Sequence, residues 1–136
     1  MGYTYYQYFG LIPPGSNATL QGLKEKLSTF YRESEDQFEL KLEGNRLQLL
    51  LGDYAFTIYF NDSPDVLEES VEMSQILKGD SDAKMLIASC MARFEMCGDE
   101  DEDMDYFNDS LYIQEEWEDF EGVITFDVVN GEFLNL

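Results

Sequence analysis

The sequence predicts an α+β fold of two layers: a mainly antiparallel sheet of about five or six strands with three or four helices packed on one face. Three observations predict it. Apolar and polar residues alternate through three consecutive segments between residues 37 and 60, separated by glycine-containing turns, and a period of two marks half-buried strands. Elsewhere apolar residues recur three and four apart, the period of amphipathic helices. Strands that follow one another without an intervening helix favour antiparallel pairing, with the helices gathered into a second layer.

In chain order, residues 3–12 (YTYYQYFGLI) read as an aromatic-rich strand that ends at Pro13-Pro14-Gly15. Ser16-Asn17 offers N-cap oxygens, and Leu20, Leu23, Leu27 and Phe30 place a helix over 17–32. Phe38, Leu40 and Leu42 alternate with Glu39, Lys41 and Glu43. Gly44-Asn45 turns the chain, Leu47, Leu49 and Leu51 return it, and Gly52-Asp53 turns it again into Tyr54, Phe56, Ile58 and Phe60. This is a three-stranded meander with one buried face. Asn61-Asp62-Ser63-Pro64 starts a helix over 64–77 with Leu67, Val71, Ser74 and Leu77 on its inner face, and Gly79 ends it. Asp80-Ser81-Asp82 opens a further helix over 82–97. Ile87, Cys90, Met91, Phe94 and Cys97 point inward from it, and its apolar circumference makes it the expected central buried helix. Residues 98–105 (GDEDEDMD) are a charged loop. Tyr106, Ile113, Trp117 and Phe120 favour a helix over 106–120, although 110–114 also suits a short strand. Residues 123–129 read as a strand, Asn130-Gly131 as a hairpin turn and 133–136 as its return.

The whole chain, 1–136, is the length of one domain, and no linker or repeat divides it. Hydrophobic residues make up 44%, with ten Phe, nine Tyr and one Trp, enough to build a core and push the charge to the surface. That charge is −21, from 29 acids against 8 bases. Such a balance repels nucleic acid and anionic lipid; it favours a cationic partner, or it serves solubility alone. No run of 18 apolar residues suits a membrane span. The N-terminus lacks signal-peptide features, and Tyr6 stands where a myristoylation signal wants Ser or Thr. Cys90 and Cys97 are seven apart. On one helix that is about 10 Å along the axis, beyond the roughly 7 Å a disulfide can span. Reduced, buried thiols are expected, in a cytoplasmic protein.

The acids are unevenly placed. Residues 94–136 hold 15 of them and no Lys or Arg, whereas the first 93 residues carry a net −6. The bland reading is a solvated acidic face; the functional reading is a docking surface for a basic protein. The candidate contact residues are Asp99, Glu100, Asp101, Glu102, Asp103, Asp105, Asp109, Glu115, Glu116, Trp117, Glu118 and Asp119. Trp117 reads either as an aromatic anchor inside an acidic rim or as core, with Ile113 and Phe120 at helical spacing. Tyr3, Tyr5, Tyr6 and Tyr8 fall on both faces of the first strand, so some are expected at the surface.

Chemistry is harder to support. Asp99, Asp101, Asp103 and Asp105 match positions 1, 3, 5 and 7 of an EF-hand loop. Met104 replaces the glycine of position 6, however, and Ser110 the bidentate glutamate of position 12. That leaves at most a loose divalent-cation site. The chain has no His, hence no Ser-His or Cys-His pair and no ordinary zinc site. Carboxylate pairs are expected by chance among 29 acids. Pro13-Pro14-Gly15-Ser16-Asn17 lacks P-loop and dinucleotide-binding spacing. No catalytic residue, cofactor or metal is assigned.

In size, acidity and lack of catalytic motifs the chain resembles bacterial immunity proteins and nuclease inhibitors. The resemblance implies a non-enzymatic module that captures a basic partner, with carboxylates steering it and exposed aromatics adding buried area. The alternatives are a structural or oligomeric domain whose charge only maintains solubility, and a carboxylate enzyme that uses a divalent metal.

Overall fold

The computed structural model describes residues 4–34, 37–79 and 81–136; Tyr3 and Asp80, assigned above to a strand and a helix start, lie outside them. The meander forms where the alternation places it. β2 (Glu39–Glu43), β3 (Arg46–Leu51) and β4 (Tyr54–Asn61) pair antiparallel, with Leu47 opposite Ile58 and Leu49 opposite Phe56, all four fully buried. Side chains directly opposed on one face are the stabilising unit of such a sheet.

Residues 82–97 are not a central helix. Helix α3 (Ser81–Ala88) stops short, and Ala92–Gly98 form strand β5, hydrogen-bonded to β4 on one side and to β1 (Tyr5–Ile12) on the other. The helical spacing of Ile87, Cys90, Phe94 and Cys97 spans two elements. Ile87 and Cys90 belong to a core on one face of the sheet and Phe94 to the core on the other. The alternation Arg93, Phe94, Glu95, Met96 was the strand signal. With this strand the sheet has seven members, in the order β2-β3-β4-β5-β1-β6-β7, every neighbouring pair antiparallel. The α+β class and its layering of helices on an antiparallel sheet stand.

Helices α1 (Leu20–Arg32) and α4 (Phe107–Glu118) form the main helical layer; the segment that suited helix or strand is a helix. α1 starts at Thr19, whose Oγ1 accepts the Gly22 N–H at 2.9 Å. Asn17 is engaged elsewhere: its Oδ1 accepts the Glu121 N–H at 3.0 Å and ties the start of α1 to the turn after α4. Two glycines permit the close approach of this layer. A Cβ at Gly10 would stand 3.0 Å from the Trp117 ring, and one at Gly22 would stand 3.1 Å from Phe120. Trp117 is fully buried, stacks on Phe94 (5.9 Å, 10°) and donates its indole N–H to Thr125 Oγ1 at 2.8 Å.

Helix α2 (Pro64–Ser74) and α3 cover part of the other face, over a smaller core of Leu11, Ile87, Cys90 and Ile124. α2 buries Val66, Ser70 and Ser74 and leaves Leu67 and Val71 exposed, so its inner face is turned from the one predicted. Polar bonds set that rotation. Ser70 Oγ–H donates to the Cys90 carbonyl at 2.8 Å, and Arg93, 4% exposed, donates to Glu69 at 2.8 Å and Glu95 at 2.7 Å while lying 4.0 Å over the Phe9 ring. Cys90 and Cys97 are both free. Burial pushes the Cys90 thiol up to about 12; burial and then the Asp99 charge raise Cys97. The last hairpin is shorter than predicted, β6 (Ile124–Asp127) and β7 (Glu132–Phe133). The Asp127 carboxylate takes the Val129 and Asn130 N–H groups at 3.1 and 3.2 Å, turning the chain where the strand was expected to continue.

Candidate functional site

At the start of β1 the pairing with β5 slips between Tyr5 and Tyr8, a bulge. Inside it Tyr6 takes φ = +56°, and in the facing loop Met104 takes φ = +58°; among the described residues no other non-glycine has a positive φ. Such conformations cost about 1–3 kcal/mol each and persist where the surroundings over-determine them. Here the determinant is Asp101. Its carboxylate, 7% exposed, accepts the Tyr6 hydroxyl at 2.6 Å, the Tyr106 N–H at 2.8 Å and the Asp105 N–H at 3.0 Å. Burial alone would raise its pKa; the tyrosine and the two backbone donors outweigh that and hold it below the usual carboxylate range. Burial and the same carboxylate push the Tyr6 phenol well up, so it stays a donor. The loop is fastened at its other end as well. Tyr54 donates to the Asp99 carbonyl at 2.6 Å, Asp99 Oδ2 accepts the Ala55 N–H at 3.0 Å, and the Tyr54 and Tyr106 rings stack at 4.0 Å.

Between the bulge, this loop and the β6–β7 turn lies a groove of about 170 Å³, lined by Tyr5, Tyr6, Tyr8, Met104, Phe107 and Val129 together with Asp127. Met104 is 56% and Val129 72% exposed, whereas Asp127 is 8% exposed. The Tyr6 ring lies 6.1 Å from Tyr5 and 6.5 Å from Phe107. Burial first and then the Asp127 charge raise the Tyr8 phenol, and a hydrogen bond with Gln114 opposes them. The site joins exposed apolar side chains, aromatic rings and a buried anion under an acidic loop.

The twelve residues predicted as contacts divide into three groups. Glu100, Glu102, Asp103 and Asp105 are exposed on the loop beside the groove, and a hydrogen bond shared with Glu102 raises the Glu100 carboxyl. Glu115, Glu116, Glu118 and Asp119 lie at the far end of α4, a separate acidic cluster. Asp119 pairs with Lys26, and Glu118 accepts the Thr125 hydroxyl. Burial raises Glu116; Lys26 opposes this, while Asp119 and Glu115 add to it. The third group is structural. Asp99 and Asp101 build the loop, Asp109 accepts the Tyr31 hydroxyl at 2.6 Å, and Trp117 is core, so the anchor role is corrected: it has no surface to offer a partner.

Of the groove residues, the tyrosines were legible as strand aromatics on both faces. Met104, Phe107, Val129 and Asp127 were not, since only the folded chain brings positions 104, 107, 127 and 129 beside residues 5–8. Among the described residues no three Asp, Glu or Cys side chains gather as a set that would hold a metal ion, and no helix is long and apolar enough to cross a membrane. No protein-family model matches the chain, and no curated protein or solved structure matches it.

Proposed function

We propose that the protein is a non-enzymatic binding module of the immunity or inhibitor type. It captures a basic protein through the acidic loop 98–105 and the groove beside it, and it acts in the cytoplasm. The supporting observation is the placement of Glu100, Glu102, Asp103 and Asp105 on a loop fastened at both ends, beside exposed Met104, Phe107 and Val129. Same-sign charge steers a partner of the opposite sign, and apolar area on a rigid frame adds contact at low ordering cost. Sequestered Trp117 takes no part.

The test is calorimetric titration with an acetylated, amidated heptalysine peptide from low to high salt. Binding should weaken steeply as salt rises. Neutralising Glu100, Glu102, Asp103 and Asp105 to the corresponding amides should weaken it by about tenfold or more at low salt. Neutralising Glu115 and Asp119, in the other cluster, should change it far less. No binding at low salt, binding indifferent to salt, or equal losses from the two sets would each count against capture by this loop.

A further inference from the structure

We infer that the groove between the β1 bulge and the β6–β7 turn is a pocket for one arginine side chain of the basic partner. The inference rests on the capture reading above and specifies its central contact.

Charge comes first. Asp127 is buried to 8% exposure, and among the described residues none of the ion pairs involves it. No Lys or Arg follows Arg93 in the chain. A buried carboxylate without a cation is costly unless hydrogen bonds satisfy it. Its bonds are the Val129 and Asn130 N–H groups on Oδ1 and the Asn130 amide on Oδ2 at 2.8 Å. A carboxylate carries about four acceptor sites, so Oδ2 keeps capacity for a further donor, and among the described residues no cation pairs with the charge.

Shape and surroundings decide which cation. Tyr5, Tyr6 and Phe107 present rings to the groove. A guanidinium is planar, weakly hydrated and stacks on aromatic faces while its N–H groups reach a carboxylate; an ammonium is a strongly hydrated point charge. The volume, about 170 Å³, is below the roughly 300–1,000 Å³ of small-molecule sites and suits a side chain. A metal ion would need more ligands than the single Asp127 carboxylate that lines the groove. The strained Tyr6 and Met104 both line the groove and are fixed before any partner arrives, as preorganised recognition requires.

The experiment compares two acetylated, amidated peptides of equal charge, heptalysine and the same peptide with arginine at its fourth position, by calorimetry and by NMR of the aromatic and backbone resonances. The arginine peptide should bind about fivefold or more tightly, with the largest shifts at Tyr5, Tyr6 and Phe107. Asp127→Asn should bring the affinity ratio to about one. Because Asp127 also builds the β6–β7 turn, Phe107→Ala, at a partly exposed position, provides a second variant and should do the same. Equal binding of both peptides, with shifts confined to residues 100–105, would overturn the arginine pocket and leave charge capture standing. Binding of neither would overturn both. An arginine preference that survives both substitutions would overturn this location for it.

Discussion

The two faces of the sheet are held by different physics. On the α1–α4 face the core is continuous and aromatic, from Ile12 through Phe56 and Phe94 to Trp117 and Phe120. On the α2–α3 face four buried residues, Leu11, Ile87, Cys90 and Ile124, make the core; one buried serine, Ser70, and an arginine with two carboxylate partners do the fastening. The same face leaves Leu67, Val71, Ile76, Met85, Leu86 and Met91 exposed. One face owes its place to area removed from water, the other to directional bonds that fix a helix whose apolar side looks outward.

Substitutions should separate the two. The largest effect belongs to the aromatic face. Trp117→Ala removes the ring between Gly10 and Phe94 and strands the Thr125–Glu118 pair. It should cost about 3–5 kcal/mol in denaturant unfolding. A loss near 1 kcal/mol would mean that this face can collapse around the hole. On the other face, Arg93→Ala should cost about 2–3 kcal/mol, below the full penalty for breaking a wholly buried pair because Glu69 is half exposed. Arg93→Met, which keeps the bulk over Phe9 but not the charge, should recover little of it if bonds rather than packing hold α2. Full recovery would make the two faces alike.

The loop that carries the site draws on both kinds of holding, and the acid limb of the protein's pH dependence reports on it. Asp101 is depressed in the folded state, so its contribution is present above the unfolded value of about 3.9 and is lost as pH falls through the lower folded value. Glu116 is raised, so its contribution is present at low pH and is lost as pH rises through its folded value. The unfolding temperature should therefore climb as pH drops through the raised Glu116 value, then fall at more acidic pH as Asp101 takes up its proton. Tyr6→Phe removes one donor from Asp101 and should cost about 1–2 kcal/mol at pH 7, while flattening the acid limb. An unchanged acid limb would show that Asp101 is not its source.

The same contrast explains what could be read from the sequence. Segments with one wet and one dry face were legible: β2 to β4 and α1 each show their period, because burial there is one-sided, whereas the α4 segment, though it favours a helix, also suits a short strand. β5 was not, since helices cover parts of both its faces and its neighbours in sequence supply apolar residues at helical spacing. α2 was legible as a helix but not in its rotation, because Ser70 and Glu69, rather than the Leu67–Val71 stripe, choose its inner side. At the site, the density of acids was visible in the sequence; its division into two clusters at opposite ends of α4 was not. Nor was the burial of Asp101 and Asp127, which depends on Tyr6 and Tyr8 reaching them from the other end of the chain.

The smallest predicted effect tests that rotation most directly. If the inner side of α2 is Val66, Ser70 and Ser74, then Leu67 and Val71 contribute little to the folded monomer. Replacing both with Gln should change stability by no more than about 0.5 kcal/mol, measured as a denaturant midpoint with unchanged slope. Ser70→Ala, which removes only the hydroxyl oxygen, should cost more than the pair together, because it strips the Cys90 carbonyl of its buried donor. The reverse order, costly Gln at 67 and 71 with a silent Ala at 70, would return α2 to the face its apolar period suggests. That outcome would remove the bonding argument for this side of the sheet while leaving the aromatic side as it is.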